Sequence, residues 1–174
     1  SWVAPGGITV CDHWQLTVNT TAGTNGVIAD SNGAGGTWVK YASTSTSVTT
    51  VTSGAGGGKF SFPTTGHYLI TGNFTTYHNT NDNDCGMSAS ITTDNFSSTT
   101  TLGYIRQVFN NTVSGASNAY QHGSSGFLFD VTDISNCKFN WNTSSMATNN
   151  YVFGATGGAG AISTNCIIMR IGDT

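Results

Sequence analysis

The chain has 174 residues, eight Asp, no Glu and only five Lys and Arg, so its formal net charge is −3. That balance gives no basic footprint for nucleic acid, and no run of about 18 apolar residues exists to form a membrane-crossing helix. Charged residues make up 7%, while aromatics reach 11% and hydrophobics 37%. Disordered chains carry the opposite mix, so a folded domain with an almost uncharged, hydroxyl-rich surface is expected.

Helix-favouring Glu, Lys, Arg, Gln and Leu are scarce, whereas Thr, Val, Ile and the aromatics are abundant. This composition favours sheet and long polar loops. Residues 1–10, with Trp2, Pro5, Gly6 and Gly7, read as an irregular arm, and residues 11–174 as one domain. Its opening lacks the basic segment of a signal peptide. Trp14, Leu16 and Val18 alternate in a first strand. A Gly/Asn/Thr loop follows, interrupted by Val27-Ile28-Ala29, a candidate short strand. Trp38 to Tyr41 forms another, and Val48 and Val51 suggest an edge strand.

Lys59 to His78 carries the clearest pattern. Phe60 and Phe62 alternate with polar residues, and Pro63 to Gly66 makes a tight turn. Tyr68, Ile70, Gly72, Phe74 and Thr76 then share one face of a long strand, with His67, Leu69, Thr71, Asn73 and Thr75 on the other. Two strands joined at a corner are predicted. Beyond it, Met87 to Ile91, Leu102 to Asn110, Gly126 to Val131, Cys137 to Asn142, Tyr151 to Phe153 and Asn165 to Ile171 read as strands. Ala119-Tyr120 begins a strand region that Gly123 is expected to break. Eight to ten strands without a long helix predict an antiparallel jelly-roll sandwich.

Cys11, Cys85, Cys137 and Cys166 are widely spaced and lack a C-x-x-C motif. Four cysteines can pair three ways, and buried thiols acting as small hydrophobes are the simpler expectation. The histidines, His13, His67, His78 and His122, form no zinc motif. Asp82 and Asp84, followed by Gly86, resemble the start of a calcium loop, but a chain without Glu cannot complete an EF-hand. A looser structural calcium site on Asp82 and Asp84 is the weak alternative to solvated carboxylates. No carboxylate pair, G-x-S-x-G or phosphate loop is present, so no enzyme and no cofactor are expected.

The corner residues Phe60, Phe62, Pro63, Gly66 and Tyr68 lead an ordered series. It continues with Phe127 to Val131, Asp133, Phe139 and Trp141, and closes on Ile167 to Gly172. This series resembles the C1q/TNF-like jelly roll. It is also similar to virion proteins of tailed bacteriophages, especially marine ones, through Trp14-Gln15-Leu16 and the ending Ile171-Gly172-Asp173-Thr174. The resemblance implies a homotrimer that decorates a capsid or forms part of a head or tail fibre, on the outside of the particle. The arm at residues 1–10 would dock on other virion proteins.

Aromatics left over from the core are typical interface anchors. His67, Tyr68, Phe74 and Tyr77 are therefore candidate trimer contacts. The alternative function is a host-glycan-binding module at a fibre tip. Its candidate residues are Tyr77 with Asn79 and Asp82, and Trp141 with Asn142.

Overall fold

The computed structural model describes residues 8–17, 19–20, 26–28, 38–44, 46–50, 58–78, 84–108, 119–146, 150–154 and 164–174. Its strands are β1 (Cys11–Leu16), β2 (Trp38–Ser43), β3 (Thr49–Thr50), β4 (Lys59–Ser61), β5 (Gly66–His78), β6 (Asp84–Thr92), β7 (Thr100–Val108), β8 (Ala119–Val131), β9 (Lys138–Ser144), β10 (Tyr151–Val152) and β11 (Asn165–Gly172). Every pairing between them is antiparallel. A six-stranded sheet joins β2, β1, β11 and β5, with β8 on the far edge of β5 and β10 continuing the β11 edge. A five-stranded sheet runs β3-β4-β9-β6-β7.

The predicted corner is where the chain changes sheets. Strand β4 belongs to the five-stranded sheet and β5 to the six-stranded one. Gly66 sits at φ +141°, a conformation that L side chains rarely adopt. A Cβ there would lie 2.5 Å from both Arg170 Nε and the Gly172 carbonyl oxygen. The turn is pinned from two sides: the Tyr68 hydroxyl donates to the Thr64 carbonyl at 2.9 Å, and Arg170 Nε donates to the Thr65 carbonyl at 2.9 Å.

The space between the sheets is filled with aromatic rings. Phe60 stacks on Phe139 at 4.7 Å, and Trp14 and Trp38 meet Phe60 edge-on. Farther along, Phe74 packs against Trp141 at 4.9 Å. Gly72 makes that contact close, since a Cβ there would reach 2.5 Å from the Phe74 ring and 2.8 Å from Trp141. Ring pairs in these geometries add roughly 0.5–1.5 kcal/mol beyond area burial.

Two expectations change. The region around Gly123 does not break; β8 is continuous for 13 residues because every position from Ala119 to Val131 pairs with β5. Continuous ladder pairing outweighs the weak strand preference of one glycine. Val27 forms an isolated bridge to Asn142, and Ile28 N donates to the Trp141 carbonyl at 2.7 Å, so these two residues extend the edge beyond β4 as a bridge, while Ala29 lies outside the described residues. Among the described residues the antiparallel sandwich has eleven strands, of which β3 and β10 span two residues each. All four cysteines are free thiols, with Cys85, Cys137 and Cys166 buried and Cys11 half-buried.

Candidate functional site

Among the described residues, the large hydrophobics Val39, Tyr41, Tyr120, Leu128 and Ile171 are exposed and all lie on strands of the six-stranded sheet. Its side chains fall in rows set by the strand register. Cys11, Met169, Leu69 and Leu128 form one row across β1, β11, β5 and β8, and His13, Ile167, Thr71 and Gly126 form the next. Leu128 is 63% exposed although both its neighbours, Phe127 and Phe129, are buried. Exposed Val39, Tyr41 and Ile171 extend the apolar surface towards β2 and the end of β11. His13 meets the Tyr41 ring edge-on at 5.5 Å.

A polar row of Gln15, Asn165, Asn73 and Ser124 follows. Asn73 Nδ2 donates to Asn165 Oδ1 at 3.1 Å. Beyond it, the Thr75 hydroxyl and His122 Nδ1 lie 2.9 Å apart. An open hollow of about 240 Å³ is lined by Asn73, Phe74, His122, Gly123 and Ser124. Among the described residues, no carboxylate lines it.

The face ends in an aromatic cluster. Tyr77 stacks on Tyr151 at 4.5 Å and meets Tyr120 at 5.3 Å, while Phe153 contacts Tyr120 and Tyr151. Burial pushes the Tyr151 phenol up, with the Tyr120 and Tyr77 phenols adding to the shift. At the opposite end, His67 Nδ1 approaches Asp130 Oδ1 at 3.6 Å, and each side chain is about half exposed.

The candidate trimer residues divide between the two faces of β5. His67 and Tyr77 lie on the outward face. Tyr68 and Phe74 are in the core, at 0% and 1% exposure. Those two are corrected to core residues: an even-numbered β5 position points between the sheets, so neither ring is available to another protomer. Trp141 is likewise corrected. It is fully buried against Phe74, Phe127 and Phe139, and it cannot offer a ring to a sugar. Its neighbour Asn142 points the other way and donates through Nδ2 to Ser90 Oγ at 2.8 Å and Asn140 Oδ1 at 3.0 Å. Asn79 and Asp82 lie outside the described residues. Asp84 opens β6, and its side chain is also outside them. Among the described residues, no three His, Cys, Asp or Glu side chains converge to hold a metal ion.

The sequence reading missed Leu128, Ile167, Met169, Tyr120, Tyr151 and Phe153 as surface residues. For Leu128, Ile167 and Met169 the signal is present in Phe127-Leu128-Phe129 and Cys166-Ile167-Ile168-Met169, where apolar residues occupy both faces of a strand. Only one of those faces can fill the sandwich.

No protein-family model matches the chain, and no curated protein matches it in sequence. Solved structures do match in shape. The crystal structure of murine APRIL at pH 8.0 superposes with a TM-score of 0.60 at 14% identity, covering 93% of this chain and 98% of that one. The Eiger TNF structure from S. frugiperda gives 0.58 at 10% identity, covering 96% and 95%. At these identities the likeness speaks for shape, and the shape it establishes for this chain is the TNF-like antiparallel jelly roll.

Proposed function

We propose that this chain is a non-enzymatic structural protein of a bacteriophage virion, assembled as a homotrimer through the outward face of the six-stranded sheet. The observation that carries the reading is the two-faced character of β5, β8 and β11. Their inward residues complete a core, and their outward residues Leu69, Leu128, Ile167 and Met169 leave a second apolar surface. Contiguous apolar area of this kind marks an interaction site, and tyrosines at its end suit a partly wet interface. A jelly roll of this shape supports packing around a three-fold axis. The virion role draws on the resemblance to phage proteins and on an almost uncharged skin. Docking of residues 1–10 on neighbouring virion proteins belongs to the same reading. A glycan-binding tip is less well supported, because Trp141 is sealed in the core.

Light scattering on the eluting peak of a sizing column tests the assembly. The wild-type chain is expected at three times its 18.1 kDa, and Leu128→Asp at one times that mass with an unchanged circular-dichroism spectrum. A monomeric wild type at micromolar concentration would overturn the trimer. Immunogold labelling of purified particles of the phage that encodes the chain tests the location; unlabelled particles would overturn the virion role.

A further inference from the structure

Asp12 is the one fully buried carboxylate among the described residues. Its place follows from the alternation of β1, in which Asp12, Trp14 and Leu16 all point inward. Oδ2 accepts a 2.5 Å hydrogen bond from the Val48 backbone N–H. Val48 directly precedes β3, so this bond links the first strand of one sheet to the edge of the other. Oδ1 has no partner among the described residues.

The groups around the carboxyl can be named element by element. From β2 comes Lys40, whose Nζ donates to Ser47 Oγ at 2.5 Å and lies 4.9 Å from the centre of the Trp14 ring. From β5 comes the Tyr68 phenol, and from β11 the Cys166 thiol; both are pushed up chiefly by their own burial, and the Asp12 charge adds to each shift. Also from β11, the Arg170 charge acts on the Tyr68 phenol and opposes its rise. Burial pushes the Asp12 carboxyl up, against the opposing pull of the Val48 N–H and the Lys40 charge.

We propose that Asp12 is a pH-sensitive latch between the two sheets. As the neutral acid it rests in the core and holds the segment before β3. Ionised, it is a charge with one unpaired oxygen in an aromatic interior, and that end of the sandwich loosens. The sign follows from linkage. A carboxyl in the unfolded chain ionises near about 4. Because the folded value is raised, its contribution to stability is intact below that pH and is lost as pH rises through the folded value. This is the reverse of ordinary acid denaturation. Asp94 and Asp133 do not obscure it. Their turn hydrogen bonds hold both carboxyls down, Asp94 to about 2, so any loss from them falls below the ordinary carboxylate range.

Thermal unfolding of the full chain between pH 4.5 and pH 8, at one protein concentration, tests the latch. The wild-type Tm is expected to fall by roughly 2–5 °C across this range. Asp12→Asn, which keeps the acceptor for Val48, should have a flatter profile and melt above wild type at pH 8. Lys40→Met should steepen the fall. Parallel wild-type and Asp12→Asn profiles would overturn the proposal, as would a wild-type Tm that rises with pH. If Asp12→Asn does not fold, hydrogen exchange at the Val48 amide of the wild type decides. After correction for intrinsic rates, protection that weakens from pH 4.5 to pH 8 supports the latch, and protection independent of pH overturns it.

Discussion

Gly66 shows how much of this fold rests on one missing side chain. The chain must leave the five-stranded sheet and enter the six-stranded one within the four residues between Ser61 and Gly66. Positive φ and the approach of Arg170 and the Gly172 carbonyl each exclude a Cβ. A backbone conformation of this kind costs a non-glycine residue about 1–3 kcal/mol, and crowding against neighbouring atoms adds to it. Gly66→Val should therefore destabilise by roughly 2–4 kcal/mol, read as a lower midpoint in urea unfolding. A midpoint equal to wild type would mean that the corner accommodates a side chain. The glycine and its turn were legible from Pro-x-x-Gly between two alternating runs. The reason no other residue fits was not, because Arg170 lies 104 positions downstream (170 − 66) and meets the turn only through the β5–β11 pairing.

At the scale of the element, β8 has two jobs with adjacent residues. Phe127, Phe129 and Val131 point between the sheets, while Leu128 and Asp130 point away. Phe129→Ala should cost about 3–5 kcal/mol, as a large core ring lost to a cavity does. Leu128→Ala should leave protomer stability within about 0.5 kcal/mol at a concentration where the chain is monomeric. Chemical denaturation of the two variants separates the roles; equal losses would show that Leu128 belongs to the core. This two-sidedness explains what the sequence could and could not reveal. Period two placed Tyr68, Ile70, Gly72 and Phe74 on one face, and all four are buried. It could not say which face looks inward, so the aromatics that seemed spare, Tyr68 and Phe74, were the ones the core consumes. For Trp141 the error was similar. A Trp beside an Asn suggests a sugar platform, but adjacent strand residues point to opposite sides.

For the whole molecule, assembly and stability become one question. If the outward face closes against two further copies, folding and association are linked by mass action. The Tm of the wild-type chain should then rise by several degrees when concentration increases a hundredfold, and that of Leu128→Asp should stay fixed. Differential scanning calorimetry at two concentrations reads this directly. A concentration-independent wild-type Tm would argue against an obligate assembly.

The pairing of β1 with β11 has a consequence for synthesis. Cys11 is matched with Met169 and Asp12 with Ile168, and β11 is the strand that separates β1 from β5 in the six-stranded sheet. While a ribosome is still making β11, β1 has only β2 beside it, and the edge that β11 will occupy stays open. The emergence of β11, more than any earlier pairing, therefore sets when the six-stranded sheet can close. Until then, β1 and β5 of the nascent chain each hold an unfilled edge that another growing chain on the same messenger could pair with.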